Sequence, residues 1–535
     1  MTPGAENVLH QISGPGPVWS RVNTAESVVG VQTPLSWSFW DDGGELGFRR
    51  AYCELGFLPR SDQMVPNRVE DKFTAIFYGR AATNVSAFRA ALDAMPFAAT
   101  DDAEQSFFSS RSTEVRAKSP QRQRIAALLR LPASALRLPR RLAKLRADSE
   151  AFWCESLDAL PGEDVPAATR RFELALARFS DEVAAQIVAS TVATFFSGRL
   201  QRLIGRHAAT LSGDDDDLEL RLLGGFGGLE EIRVSADLWE VARGGRDLAD
   251  FLLRHGFRGP ADGELSSRSW RENPKPIEAL LAPYRTLPEA KSPAAAERRR
   301  MDDRDAATRE LLARLDAVER MRALVLLRLA ARYVPLRVIA KAAFQQTFDV
   351  ARAAARQIGI AHASNGRLEH ADDVFYLVRD EIADPPADAR VRIESRRELR
   401  RKYQELDLPL EFTGMPEPFS LRDSPASGPS EPLTGLGVSP GVAQGRARVV
   451  LDPSQGGLLP GEILVCSITD PSWSSYFLIA AGVVIDVGGP LSHGAIVARE
   501  LGIPCVINTV DGTRRLRSGD QLRIDGSSGH VEIVS

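Results

Sequence analysis

Near its C-terminus the chain reads GGPLSHGAIVARELGIPCV, Gly488 to Val506, and few folds accommodate that order of residues. The apolar run before it, Gly482–Val487, has the composition of a short buried strand. Gly488, Gly489 and Pro490 then turn the chain, and Ser492 and His493 follow. Ala495, Ile496, Val497, Ala498 and Leu501 recur at helical spacing until Gly502 and Pro504 stop the helix. His493 is therefore expected at a helix N-terminus, exposed at the tip of a strand–turn–helix unit.

That position suits phosphoryl chemistry. A helix N-terminus presents unpaired N–H groups and a partial positive charge, which hold a phosphate. The same field disfavours imidazolium, so the ring stays neutral and nucleophilic. A neutral imidazole can attack a phosphoryl group and later release it, a covalent relay. A lone histidine in such a turn fits a packing role equally well, and the surrounding residues carry the functional reading.

Those residues, Gly488, Gly489, Ser492, His493, Ala495, Ile496, Ala498, Arg499, Glu500, Gly502, Ile503 and Pro504, resemble the swivelling phosphohistidine domain of the phosphoenolpyruvate-utilising enzymes. The resemblance extends through GVSPGVAQGRARVV (Gly437–Val450), PGEILVCSITDPSW (Pro460–Trp473) and GDQLRIDGSSGHVEIV. It implies that His493 is the phosphorylated residue and that Gly488, Gly489, Ser492 and Arg499 form its loop.

A chain of 535 residues has room for about three domains. With 44% hydrophobic and 26% charged residues it can bury large cores, and a net charge of -4 gives no general reason to expect nucleic acid or membrane as a partner. Cys53, Cys154, Cys466 and Cys505 are scattered, form no metal-ligand pair, and read as reduced core residues. No metal site is expected. The N-terminus lacks a basic region followed by an apolar core, and the longest apolar run, Tyr476–Ile485, is short of a bilayer span, so the expected location is the cytoplasm.

Upstream, residues 1–410 are expected to form a mostly helical acceptor-binding domain. Trp37, Phe39 and Trp40 read as core. Arg21, Asn23, Glu26, Thr33, Pro34, Leu35 and Trp37 resemble the entry of the middle domain of rifampicin phosphotransferase-like proteins, and Tyr78–Asn84 fits the same pattern. Residues 111–146 alternate Arg and Lys with leucines, as a basic amphipathic helix pair or a solvated helix face. Asp214–Asp217 reads as a surface loop. LLGGFGGLEE (Leu222–Glu231) lacks the strand and the Lys-Ser/Thr of a phosphate loop, and reads as a turn between helices.

Two further segments match the same middle domain. In Phe251–Pro274 the polar members are His255, Arg258 and Glu264, which the resemblance implies in substrate binding, with His255 as one candidate to take the acceptor proton. In Ala331–Gln345, Arg337 and Lys341 are four apart and share a helix face, where two cations would stabilise a phosphoryl group in transfer. Relatives carry Arg-Glu-x-x-Lys here. This chain has Val338 in place of the Glu, which puts an acid/base role at that position in doubt.

Residues 411–432 hold several prolines with Ser and Gly and read as a linker, leaving 433–535 as the swivelling domain. The expected fold class is α+β: a large helical substrate domain, then a small β/α phosphohistidine domain. The reading expects no ATP-binding domain in this chain. It therefore resembles the His-bearing subunit of two-component phenol- or 4-cresol-phosphorylating synthases. A separate ATP-grasp-like subunit would bind ATP and Mg2+, and a small hydroxyl-bearing molecule would be the acceptor. A split rifampicin phosphotransferase or phosphoenolpyruvate synthase-like enzyme is one alternative, and a non-enzymatic phosphohistidine carrier or scaffold is another.

Overall fold

A computed structural model of the chain describes residues 7–22, 24–95, 119–207, 218–228, 230–420, 433–453, 457–490 and 492–534. The acidic run Asp214–Asp217, Asn23, residues 111–118 of the basic stretch and residues 421–432 of the expected linker lie outside the described residues.

The architecture is α+β. In the first part, α1 (Thr24–Ser27), α2 (Pro34–Phe39) and α3 (Glu45–Leu55) precede two long helices, α4 (Gln121–Ala159) and α5 (Val165–His207). Then come α6 (Glu230–Ala242), α7 (Leu248–His255) and α8 (Leu336–Ser364), which lies along α5. A small antiparallel sheet closes one side, in the order β2 (Thr74–Phe77), β3 (Arg80–Asn84), β1 (Val18–Ser20), β5 (Glu411–Thr413).

Residues 411–420, expected in the linker, instead belong to this domain. Phe412 pairs with Trp19 in the sheet and its ring meets Phe77 edge-on at 5.2 Å, while β6 (Phe419–Ser420) pairs with β4 (Leu406–Asp407). The apolar residues among the prolines explain the difference, since burying Phe412 outweighs the pull of a Pro-rich composition toward an exposed tether.

The basic stretch forms one helix, α4, rather than a pair. Pro132 and Pro139 sit inside it. Leu131, Ala135, Leu138 and Leu142 are buried in the cluster shared with Tyr52, Leu55 and Val188, and that packing carries the helix through both prolines. Cys154, expected in the core, is exposed on the same helix. Among the described residues α5 is the one helix apolar enough by length and composition to cross a membrane, and 72% of its most apolar window is buried inside the protein, as befits a core helix.

The second part is an eight-stranded sheet in the order β7 (Leu433–Thr434), β14 (His530–Ile533), β13 (Gln521–Asp525), β9 (Val442–Val449), β10 (Ile463–Cys466), β11 (Gly482–Ile485), β12 (Cys505–Ile507), β8 (Leu436–Ser439). Strands β9 to β12 are parallel, and β10 and β11 are buried on both faces, which is why they read as unbroken apolar runs. Helix α9 (His493–Leu501) connects β11 to β12. Gly494 allows it to lie close, since a Cβ there would stand 2.6 Å from Thr469 Oγ1 and 2.7 Å from Ile485 Cδ1.

The two parts are docked. Trp239, Trp270 and Tyr284 of the helical part share one apolar core with Trp473, Phe477, Ala495 and Leu501 of the sheet part. Tyr284 Oη donates to the Ser475 carbonyl at 2.8 Å and Ser235 Oγ to the Ser474 carbonyl at 3.3 Å.

Glu264 holds the entry of the helical domain together. Its carboxylate accepts from Thr33 N–H (2.9 Å), Thr33 Oγ1 (2.7 Å) and Ser36 Oγ (2.7 Å), capping α2 where Thr33 makes no side-chain cap of its own. Glu264→Ala should lower the free energy of unfolding by about 3 kcal/mol, because three buried donors lose a charged acceptor. A urea titration checks this. An unchanged midpoint with weakened acceptor binding would return Glu264 to the substrate-binding role expected from sequence.

Candidate active site

The site is built where α9 meets the helical domain. Ser492 is the N-cap of α9, and its Oγ accepts from Ala495 N–H at 3.2 Å. Gly489 supplies the carbonyl that accepts Ser492 N–H at 2.9 Å. Arg499 braces the same loop: Nε donates to the Ala495 carbonyl at 3.1 Å and Nη2 to the Pro490 carbonyl. Burial pushes the Arg499 pKa down to about 10. Gly488 lies against both Ser492 and Glu26, since a Cβ there would stand 3.3 Å from Ser492 Oγ and 3.6 Å from Glu26 Oε1.

His493, expected to be exposed, is only 7% exposed. The strand–turn–helix tip is there, but it is pressed against the helical domain and lines a cavity of ≈ 220 Å³. Ile496, three residues on and hence on the same helix face, lines it too. From the other side Arg337 and Lys341 both line the cavity, one turn apart on α8, with Val338 and Phe344. The rest of the wall mixes aromatic side chains, Trp37, Trp40, Phe48, Tyr52 and Phe88 among them, with polar ones such as Thr24, Thr83, Gln186 and Thr191. The aromatic cluster expected in the core is there: Phe39 packs among Phe172, Phe179 and Phe348, Trp40 packs on Phe179 and Phe348, and Trp37 is buried, while the two tryptophans also line the cavity.

One functional residue was not legible as such in the sequence. Glu26, on the single turn α1, is 8% exposed and lines the cavity, and its Oε2 accepts the backbone N–H of His493 at 3.3 Å. Burial raises its pKa to about 7, against the opposing pull of Lys341, the His493 N–H, Arg337 and Ser492. Its only signal in the sequence was a place in the Arg21–Glu26 resemblance. Glu26 Oε1, Trp37 Nε1 and Gln186 Oε1 are buried, have no hydrogen-bond partner among the described residues, and belong to residues of the cavity wall. A ligand with a hydroxyl could satisfy them.

His255, Arg258 and Glu264 do not line this cavity. His255 is buried at the end of α7 with Nε2 2.8 Å from Asp237 Oδ2, and burial lowers its pKa. Arg258 is buried over the Phe257 ring, and Glu264 caps α2. Among the described residues no group of three or more His, Cys, Asp or Glu is placed to hold a metal ion.

Arg258 instead serves the seam between the domains. Asp262 of the helical domain, half-buried, and Asp470 of the sheet domain, buried, meet there. Burial, then the charge of Asp470, raises the Asp262 pKa to about 7, while Arg258 and Arg352 oppose the rise. Asp470 is raised by burial as well, and its Oδ2 accepts Ala261 N–H at 3.2 Å. Both acids, and Glu26, thus hold protons in the docked state that they would lose in water, so docking gains as pH falls and weakens as it rises through about 7. Small-angle scattering should report a more extended chain at pH 8 than at pH 6, with Asp262→Asn reducing the difference. A pH-independent profile, or extension at acid pH, would refute this.

Comparison with known proteins agrees with the placement of these elements. The PEP-utilising enzyme mobile domain matches residues 458–529, and the rifampicin phosphotransferase fourth domain matches residues 243–337. A rifampicin phosphotransferase of Streptomyces sviceus is 40% identical over 176 residues, 32% of this chain and 20% of that protein. Another, from Streptomyces sp, is 33% identical over 329 residues, 57% of this chain and 37% of that protein. An uncharacterized protein of Mycobacterium tuberculosis is 34% identical over 321 residues, 60% of this chain and 34% of that protein. The chain spans well under half the length of these relatives. His493 falls within the first matched segment and Arg337 ends the second, and across both the chain resembles the phosphoenolpyruvate-utilising enzymes.

Proposed function

We propose that this chain is the His-bearing subunit of a two-component phosphotransferase. His493 receives a phosphoryl group and passes it to the hydroxyl of a small aromatic acceptor, of the phenol or 4-cresol type, held in the cavity. The observation that carries the reading is the convergence of His493, Arg337, Lys341 and Glu26 on one aromatic-walled cavity.

The donor in this reading is ATP with Mg2+ held for transfer on a separate ATP-grasp-like subunit, and this chain supplies no phosphoryl-donor site of its own. The sequence contains no Gly-x-x-x-x-Gly-Lys-Ser/Thr phosphate loop. The one glycine-rich run forms the connection from Leu218–Leu222 to α6. In the charging step the β-phosphoryl group moves to a ring nitrogen of His493, water takes the γ-phosphoryl group, and AMP leaves.

In the second step the acceptor oxygen bonds to phosphorus as the N–P bond breaks, and its electron pair returns to the imidazole. Arg337 and Lys341 balance the charge on the phosphoryl oxygens. Glu26, poised at about 7, takes the hydroxyl proton, the role the sequence suggested for His255. The volume favours a single ring: an apolar cavity of about 150 Å³ holds benzene, and this one has ≈ 220 Å³. The relatives' names supply a second reading, a rifampicin-type acceptor, for which the cavity would have to open to admit a macrocycle.

Intact-mass spectrometry with ATP should show a one-phosphate gain that requires the ATP-binding partner and is absent in His493→Ala. Turnover near wild type in that variant would remove the covalent route, and no gain under any condition would favour a scaffold. With the charged protein, phenol and 4-cresol should be consumed and rifamycins spared. The transfer rate should rise with pH through about 7, as Glu26 loses its proton. Glu26→Gln should slow transfer about 10²-fold or more and flatten that rise. An unaltered pH profile would strip Glu26 of the base role.

A further inference from the structure

A second concave site lies behind the first, and nothing in the phosphotransfer reading uses it. It is a cleft of ≈ 760 Å³ between α3, the turn Arg60–Gln63 and α4. Arg50, Arg60, Arg130, Arg137 and Arg141 line it, against the carboxylates Glu54 and Asp181. Three of these arginines follow helical spacing on α4, so one face of the basic stretch is gathered here rather than spread over a solvated surface.

The carboxylates are already engaged. Arg141 Nη1 donates to both Glu54 oxygens at 2.9 and 2.8 Å, and Arg50 donates to Asp181 at 2.6 Å and to Ser180 Oγ at 2.7 Å. Arg130 gives one N–H to the Cys53 carbonyl at 2.9 Å, and Arg60 and Arg137 form no ion pair among the described residues. Three cations in excess thus crowd a concave surface on a chain whose net charge is -4, so the local charge is not a by-product of a basic protein.

We propose that this cleft binds an oligophosphate anion, recognised by its phosphate chain. Guanidinium forks match phosphate oxygens, and several forks along one cleft match a ligand with several phosphates better than a single carboxylate. Among the described residues no aromatic side chain lines the cleft, so none of them offers a nucleotide base a stacking surface there. The site also shares its walls with the acceptor cavity. On α3, Phe48 and Tyr52 face the cavity, whereas Arg50, Cys53 and Glu54 face the cleft; on α5, Val183 and Ile187 face the cavity, whereas Asp181 and Ala184 face the cleft. An anion in the cleft therefore sits one helix thickness, roughly 10 Å, behind the acceptor, and its occupancy is coupled to the shape of the cavity wall.

Calorimetric titration of the full chain at low salt, with tripolyphosphate, ATP and inorganic phosphate as probes, tests the site. Tripolyphosphate and ATP should bind with similar affinity and inorganic phosphate at least about tenfold more weakly, with affinity falling as salt rises. The double variant Arg60→Glu/Arg137→Glu, which changes two exposed residues and should fold normally by circular dichroism, should lose tripolyphosphate binding by about 10²-fold. Absence of saturable tripolyphosphate binding, or binding unchanged in the variant, overturns the site. ATP binding without tripolyphosphate binding overturns recognition by the phosphate chain. For the coupling, tripolyphosphate should change the KM of acceptor phosphorylation by pre-charged protein, and not in the variant. An unmoved KM with the cleft saturated refutes coupling alone.

Discussion

The hydrogen bond from the His493 backbone to Glu26 joins the two halves of the proposed chemistry, because it places a buried carboxylate at the first turn of the helix that carries the proposed nucleophile. Glu26 is held among partners that favour its anion: two cations, a helix N-terminus and Ser492. Desolvation outweighs all of them and leaves its pKa near 7. The balance depends on docking. Once α9 departs, Glu26 loses its N–H donor and gains water, and an acid in water returns toward its ordinary value. In the proposed cycle a proton taken from the acceptor in the docked state is therefore shed when the domain leaves, which restores the base without a separate relay.

In the proposed cycle the sheet domain visits a second site, and a domain that does so cannot be held too tightly. The apolar part of the interface is substantial, with Trp239, Trp270 and Tyr284 against Trp473 and Phe477. Tyr284 Oη makes one short bond across it, 2.8 Å to the Ser475 carbonyl, but the backbone N–H bonds from His493 to Glu26, Ala261 to Asp470 and Phe226 to Glu500 measure 3.3, 3.2 and 3.5 Å, longer than the usual N–H···O distance. The facing acids Asp262 and Asp470 subtract further from the docked state at neutral pH. Apolar contact that is non-directional, combined with polar contacts that are mostly long or opposed, gives a docked state that excludes water yet can be left.

Residues whose role is set by local sequence were readable, and those whose role is set by packing were not. His493 at the start of α9 follows from glycine turns and helical spacing, and the pairing of Arg337 with Lys341 on one face follows from a four-residue interval. Glu26 sits on a four-residue helix with no periodicity to read, and it becomes a site residue because a helix 467 positions away docks on it. Glu264 and Arg258 were drawn into the substrate set by the segment that contains them, but burial among Thr33, Ser36 and Asp262 gives them structural work. Phe412 shows the converse error, in which prolines hid one aromatic residue that anchors a strand.

The cavity also bears on which acceptor the chemistry can serve. A phosphohistidine exposed to water loses its phosphoryl group to hydrolysis, so transfer requires that the acceptor displace water. Aromatic walls from Trp40, Phe48, Tyr52 and Phe344 favour an apolar ring over water and over a polar polyol. The proton is the second constraint. A carboxylate with a pKa near 7 is a weak base toward an aliphatic alcohol, but a phenolic hydroxyl, with a pKa of about 10, lies within a few units of it. Arg337 and Lys341 would lower the phenol's value further by stabilising the developing phenolate next to the phosphoryl oxygens. In the proposed reaction, ring shape and proton affinity therefore point to the same class of acceptor, one that is flat, apolar and acidic enough for Glu26 to deprotonate.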